Sequence, residues 1–325
     1  MTDSHHTNSV QSLNAESAPH MHGMRLDQAL AELFPDFSRS RLQSWIKSGS
    51  VRIDGATCLK QREKLRGGER IEIDAELEEE VAFQPQAIPL AILYEDDSIL
   101  IINKPVGMVV HPAAGNPDGT LQNALLHHDP QLVNLPRAGI VHRLDKDTSG
   151  VLMVARTLEA HKSLVDQLQA RSIKREYLAL AQGLITAGGK IDEPIGRHPA
   201  QRTRMAVVRS GKPAITHYRV LERFRAHSWL RVNLETGRTH QIRVHMAHIH
   251  HPLVGDPVYG GRLRIPAGAS ALFTEQLRAF RRQALHAHRL GLIHPASGEA
   301  MEWSSEPPED LSNLLNSARE DAKPR

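Results

Sequence analysis

From Leu26 the apolar residues recur at helical spacing: Leu26, Leu30, Leu33 and Phe34 stand at i, i+4, i+7 and i+8. This predicts an amphipathic helix that Pro35 ends. Leu42, Trp45 and Ile46 repeat the pattern in a second short helix, with Ser38 placed to cap its start and Gly49 to stop it. The period then falls to two. Val51-Arg52-Ile53 runs into Asp54-Gly55, a dipeptide suited to a two-residue hairpin turn, and Arg70-Ile71-Glu72-Ile73 reads as a later strand. Residues 1–23 have few apolar positions and no period, so they are read as a disordered tail. Glu76 and the run Glu78, Glu79 and Glu80, followed by Pro85 and Pro89, read as a linker over residues 76–90.

Beyond the linker, Ile92-Leu93-Tyr94 and Ile99-Leu100-Ile101-Ile102 flank a polar Glu-Asp-Asp-Ser turn and predict a hairpin. Gly139-Ile140-Val141 and Val151-Leu152-Met153-Val154-Ala155 are further β-rich runs. Thr157 can cap a helix that turns Leu164, Val165 and Leu168 inward, and the strand Tyr177-Leu178-Ala179-Leu180-Ala181 follows. Another strand surrounds Ala284-Leu285-His286-Ala287. Hairpins outnumber strand-helix-strand repeats, so an α+β fold over residues 91–308 is expected. After Pro307-Pro308, Leu311, Leu314 and Leu315 predict a last helix and a loose charged tail over 309–325.

At 325 residues the chain suits a small domain followed by a large one. Hydrophobic residues at 40% and charged ones at 24% are ordinary for a soluble globular protein. No apolar run reaches the ~18 residues of a membrane span, and no apolar stretch follows a basic start as in a secretory signal. With Cys58 alone, an internal disulfide is impossible, and a cytoplasmic location is expected. A net charge of +3 matters only if the positive charge is gathered. It is. Between Arg39 and Arg66 stand Arg39, Arg41, Lys47, Arg52, Lys60, Arg62, Lys64 and Arg66 against Asp54 and Glu63, and Arg197 to Arg219 holds six basic residues and no acid. Both stretches suit phosphate contact; a solvated charged surface is the alternative.

The candidate chemistry sits at His142-Arg143-Leu144-Asp145-Lys146-Asp147-Thr148-Ser149-Gly150, a polar loop between two β-rich runs. In an extended segment Arg143 and Asp145 share a face, and a neighbouring guanidinium favours the charged form of a carboxylate. A surface turn with a local Arg/Asp pair is the competing reading. Lys104, at the sheet break Asn103-Lys104-Pro105, is read as structural. Leu234 to His245 contains Thr236-Gly237-Arg238-Thr239-His240-Gln241-Ile242-Arg243, whose alternation as a strand would put Arg238, His240 and Ile242 on one face. His245, His248, His250 and His251 have spacing that two imidazoles on a metal could use, but no cysteine or acid lies among them, so no metal site is assigned. No phosphate-cradling glycine loop is present.

The loop from His142 to Gly150 resembles, residue for residue, the catalytic loop of pseudouridine synthases of the RluA type. Asn-Lys-Pro before it, and Arg-Glu-Tyr and Glu-Thr-Gly-Arg-Thr-His-Gln-Ile-Arg-Val-His-Met after it, stand in family order. Residues 24–75, with Arg25-Leu26-Asp27 before Leu30 and Ser38-Arg39-Ser40-Arg41 before the second helix, resemble an S4 RNA-binding domain. The resemblance implies a mixed, mainly antiparallel central sheet with flanking helices. It implies isomerisation of uridines in a stem-loop of 23S large-subunit rRNA, in a precursor or assembled particle, by a monomer with no cofactor and no metal. Asp145 would be the essential acid, Arg238 its salt-bridge partner, and Tyr177 the ring that stacks on the uracil. Arg143 would enter the RNA where the base has left, Ile242 would face the substrate, and Arg197, Arg202, Arg39 and Arg41 would meet the backbone. Two rival readings stand beside it: an RNA-binding assembly factor without activity, and a metal-dependent hydrolase built on the histidine cluster.

Overall fold

The structure is a computed structural model that describes residues 9–35, 37, 39–77, 84–112, 115–201 and 203–323. It divides into two compact units, Met1–Ala82 and Phe83–Arg325.

In the first unit, α1 (Leu26–Leu33) and α2 (Arg39–Ser48) follow β1 (Ser9–Glu16) and precede β2 (Val51–Ile53), β3 (Ala56–Thr57) and β4 (Arg70–Leu77). Both helices lie where the apolar spacing put them; the expected cap Ser38 falls outside the described residues. Leu26, Leu30, Leu42 and Ile46 are fully buried against Val51, Ile71 and Ile73. Asp54 and Gly55 have φ of 50° and 80°, as the predicted hairpin turn requires. Residues 9–23, read as disordered, are instead ordered: β1 pairs antiparallel with β4 along its whole length, from Ser9↔Leu77 to Glu16↔Arg70. Backbone pairing holds this strand, while Leu13 and Ala15 lend only partial burial and Met21 closes the core beyond it.

The linker is likewise shorter than predicted. β4 extends to Leu77, and Gln84 and Gln86 are bonded into the second unit: Asn123 Nδ2 donates to the Gln84 carbonyl at 2.9 Å and Gln86 N to the Asn123 carbonyl at 3.0 Å.

The second unit is built on a large sheet. Its strands are β5 (Ile92–Glu95), β6 (Ile99–Lys104), β7 (Ser149–Ala155), β8 (Lys174–Gln182), β9 (Gly189–Asp192), β12 (Ile215–Arg223), β13 (His227–Leu234), β14 (Leu285–Ile293) and β15 (Ala300–Ser304). Their order is β5-β6-β7-β14-β8-β13-β12-β9, with β15 also on β14. β7 and β14 run parallel and the other neighbours antiparallel, so the sheet is mixed and mainly antiparallel, as expected. A separate ribbon joins β10 (Ile195–Arg197) to β11 (Met205–Val207). The helices are α3 (Leu121–His128), α4 (Leu158–Gln169), α5 (Gln241–His248), α6 (Ala271–Ala279) and α7 (Glu309–Ala322).

Alternation along the central strands divides the core. Tyr177, Ala179, Leu230 and Val232 face α3 and α5, whereas Leu178, Leu180 and Trp229 face α6 and α7. Leu311 and Leu314 of α7 are fully buried in that second cluster, so this segment is part of the domain and not a loose appendage. Thr157 caps α4 as predicted, accepting from Ala160 N at 3.1 Å. The run 139–141, expected as a strand, forms one bridge, Ile140↔Val154, after a 3-10 turn.

The parallel contact of β7 with β14 depends on Gly150. Its φ is +117°, and a Cβ there would lie 2.1 Å from the Ala287 carbonyl oxygen. Glycine alone allows both the angle and the approach.

Candidate active site

The loop that ends in β7 is pinned from three sides before its acid group is considered. Lys104, fully buried at the end of β6, donates to the carbonyls of Pro105 at 2.8 Å, Met108 at 3.0 Å and Lys146 at 3.0 Å. Gly107 N also reaches the Lys146 carbonyl at 3.0 Å. On a second side His142 Nε2 accepts from Met153 N at 3.1 Å, which makes the ring neutral and leaves its proton on Nδ1. Burial, helped by Arg175, pushes His142 down to about 3. On the third, Arg282 donates to the Asp147 carbonyl at 3.3 Å and Gln283 to Thr148 Oγ1 at 3.0 Å. A rigid collar of this kind fixes a loop side chain to within the tolerance that catalysis needs.

Burial pushes Lys104 down to about 8, with Asp147 and Asp145 pulling the other way. Removing the ammonium takes a donor from the Pro105 and Met108 carbonyls and leaves the Lys146 carbonyl with Gly107 N alone, so Lys104→Met is expected to cost roughly 2–4 kcal/mol in denaturant unfolding and to slow turnover. The sign of the pH dependence follows from the depressed value. Between about 8 and the ordinary 10.5 the unfolded chain holds the lysine proton that the folded chain has lost. Stability of the natural chain relative to Lys104→Met therefore rises with pH across that window. Unfolding curves at both ends check it; a flat difference would refute it.

Within this collar Thr148 N bonds the Asp145 carbonyl at 3.0 Å, closing a turn that leaves the Asp145 side chain 19% exposed. Its partner comes from α5. Arg243 Nη1 donates to Asp145 Oδ2 at 2.9 Å, while Nε and Nη2 of the same guanidinium hold Asp256 at 2.7 and 2.9 Å. Asp256 Oδ1 further accepts from Val258 N at 2.8 Å and Tyr259 N at 3.0 Å. Burial acts against the charge on Arg243, but Asp256 and Asp145 outweigh it and raise the group above its ordinary value. Burial likewise acts against charge on Asp256, and Arg243 with the two backbone donors holds it below the usual carboxylate range.

Arg238, assigned as the partner of Asp145, is not. Its Nε donates to the Pro213 carbonyl at 3.1 Å. The cause is local: the segment does not continue as a strand but turns into α5 at Gln241. Gln241 Oε1 accepts from Arg238 N at 3.0 Å and from Thr236 Oγ1 at 2.7 Å, and His240 takes the left-handed region with φ 56°. Arg243, two residues into the helix, then points back at the loop. The strand-like alternation expected of Arg238, His240 and Ile242 breaks at Gln241, where the helix starts; Gln241 to Met246 are all buried, and a helix buried all round shows no amphipathic period.

Tyr177 lies in the same core cluster as Leu144 and Ile242, 7% exposed. Burial raises its phenol, Arg175 opposes that, and Asp145 is near enough to add to it. Ile242, expected to face the substrate, is 3% exposed and belongs to the same core cluster as Tyr177. Arg143 is exposed at the loop's surface, and the ion pair expected with Asp145 is made by Arg243 instead. Arg197 is exposed at the end of β10, Arg202 lies outside the described residues, and Arg204 donates to the Val258 carbonyl and stacks over the Tyr259 ring at 5.3 Å. In the first unit, Arg39 is exposed, 3.9 Å from Asp27, and Arg41 is partly buried. Two of the clustered histidines serve structure: His245 bonds Thr216 Oγ1 at 2.8 Å and the Glu193 carbonyl at 2.9 Å, and His251 bonds the Gln182 carbonyl at 2.9 Å. Among the described residues no three histidine, cysteine or acidic side chains converge as a metal would require.

Comparison with known proteins accounts for this arrangement. Residues 98–248 match the family described as RNA pseudouridylate synthase, and residues 24–71 match the S4 domain. The chain is 60% identical over 309 residues, 95% of each protein, to ribosomal large subunit pseudouridine synthase D of Escherichia coli strain K12. The chain belongs to the RNA pseudouridylate synthase family. The pseudouridine synthase of the same name from Yersinia pestis is 59% identical over 311 residues, 96% of each chain. Among solved structures, human RNA pseudouridylate synthase domain containing 4 superposes with a TM-score of 0.55 at 25% identity, covering 70% of this chain and 93% of that one. This synthase is therefore an isomerase with an S4 module ahead of its catalytic unit. β1 lies outside the S4 match and adds a strand to that module's sheet.

Sequence reasoning singled out the loop, Asp145 and Tyr177 and passed over Arg243 and Asp256, which the structure joins to Asp145 in one ion-pair network. Asp256 carried a usable signal, since Asp-Pro-Val-Tyr-Gly-Gly is a turn in which an aspartate accepts from the following amides. Among the described residues no helix is long and apolar enough to cross a membrane.

Proposed function

We propose that this synthase converts uridines of 23S large-subunit rRNA to pseudouridine in the cytoplasm, acting as a monomer on a precursor or assembled particle, with Asp145 as its essential group. The observation that carries the reading is a carboxylate held on one oxygen by a buried guanidinium while the side chain stays 19% open to solvent. A purely structural ion pair has no need of that opening.

The chemistry asks little else of the chain. The target uridine must leave its stack, at a cost of a few kcal/mol that is least in a loop, and Arg143, exposed and two residues before Asp145, would occupy the gap. Asp145 assists cleavage between ribose C1′ and uracil N1. The base turns over while the buried Tyr177 ring supports it, and carbon five is joined to C1′; the carbon-five proton passes to solvent and the freed N1 takes one up, so the product is an isomer. Arg243 anchors one carboxylate oxygen and supplies a fixed positive charge throughout, so this dipole needs no reorganisation as charge develops. The test is release of tritium from carbon-five-labelled uridine in large-subunit rRNA, with the modified positions mapped in cells lacking the gene. No release, or release from positions that remain modified without the gene, would remove the reading.

The S4 module is proposed as the second grip on structured RNA, with Arg39 and Arg41 at the start of α2. Deleting residues 1–82 is expected to weaken binding to structured rRNA by about tenfold or more, since each lost phosphate contact lowers affinity. Turnover at saturating RNA should change far less; unaltered affinity in the shortened chain would refute the role.

A further inference from the structure

Arg243 accounts for one oxygen of Asp145; the other faces His240. His240 Nε2 stands 3.8 Å from Asp145 Oδ1, and its Nδ1 is 2.9 Å from the Tyr259 hydroxyl. Tyr259 is itself closely held. Its oxygen accepts from Met205 N at 3.0 Å, and its ring lies between the guanidinium groups of Arg204 at 5.3 Å and Arg243 at 5.1 Å, edge-on to the imidazole.

These contacts decide where the imidazole proton sits. The phenol oxygen already accepts from a backbone amide, so its own proton has Nδ1 as its nearby acceptor, and Nε2 keeps the ring proton. The opposite tautomer would set an Nε2 lone pair against a carboxylate oxygen and leave the phenol proton unused. Burial favours the neutral ring, Asp145 and Asp256 oppose that, and Arg243 and Arg143 reinforce it.

We propose that His240 is a positioning residue for Asp145, its Nε2–H aimed by Tyr259 at the Oδ1 that Arg243 leaves free. At 3.8 Å the contact is too long for a hydrogen bond. Such contacts commonly tighten only when substrate is bound. The left-handed backbone of His240 at the N-terminus of α5 places the ring over the loop, a conformation that a histidine accepts only at some cost. With both oxygens restrained, the carboxylate has one orientation towards the flipped nucleotide; with Oδ1 free, it can rotate about its last bond.

The inference rests on the isomerase reading above, and the assay separates the two. Wild-type chain that fails to release tritium from labelled rRNA would sink that reading first; given release, the variants judge His240. Asn tolerates left-handed backbone but is too short to reach Oδ1, so His240→Asn is expected to lower kcat by about 10- to 100-fold with KM little changed, the usual loss when a supporting group behind a functional ligand is removed. His240→Gln, whose amide can donate at the same reach, should recover most of the loss. Tyr259→Phe, which keeps the ring between its two arginines but no longer aims the imidazole, should lower kcat less than His240→Asn, again with little effect on KM. A purely structural histidine predicts otherwise. If His240→Asn keeps wild-type kcat, raises KM alone, or is matched by His240→Gln, the proposal is overturned.

Discussion

Asp145→Asn is expected to stop tritium release from carbon-five-labelled rRNA, lowering turnover by at least about 10³-fold, as removal of a central reacting group does. The substitution keeps the side chain's volume and an oxygen that Arg243 Nη1, now 2.9 Å from Oδ2, can still reach. Arg243 also retains its paired bonds to Asp256, so no buried guanidinium is left without a counter-charge. Melting should therefore move little. RNA affinity should stay within about threefold, because phosphate contacts dominate binding and none is lost. The three readouts together distinguish loss of chemistry from loss of fold or of RNA. Retained turnover in the variant would end the mechanism proposed above, and it would revive the view of the chain as a binding factor.

That Asp145 could be singled out from sequence, while its partner could not, has a physical reason. The loop is polar between two apolar β-rich runs, and a nine-residue string has enough specificity to point to one family. α1, α2 and the Asp54-Gly55 hairpin were legible because local spacing and turn chemistry govern them. The contacts around the site come from elsewhere in the chain. Lys104 lies 42 residues before the Lys146 carbonyl it binds, and Arg243 lies 98 residues beyond Asp145. Periodicity cannot choose between two arginines of one motif when a left-handed histidine redirects the backbone between them. β1 was missed for a related reason: its pairing with β4 is a backbone contact, and such contacts leave no hydrophobic signature. The extent of the linker was misjudged because acidic and proline residues mark it, whereas the bonds of Gln84 and Gln86 to α3 and the segment before it do not show in composition.

The contrast between the two arginines gives the second large effect. Arg243→Ala removes the counter-charge from two carboxylates at once, one of them, Asp256, with a side chain wholly out of solvent. Breaking a buried pair from one side costs about 3–5 kcal/mol, because the remaining charge stays desolvated. The chain should melt several degrees lower, and turnover measured well below melting should fall by about 10²-fold or more as the carboxylate loses its anchor. Arg243→Lys cannot serve both acids, since an ammonium lacks the planar fork that meets Asp256 through Nε and Nη2 and Asp145 through Nη1. It should recover part of the stability and little of the rate. Arg238→Ala should behave as a surface change, with turnover within about threefold of the natural chain and stability within about 0.5 kcal/mol, because it gives up a single bond to the Pro213 carbonyl. Whatever Arg238 contributes should then appear as weaker RNA binding that fades at high salt. If Arg238→Ala proved as damaging to turnover as Arg243→Ala, the placement of α5 against the loop would be wrong, and with it the geometry that holds Asp145 towards its substrate.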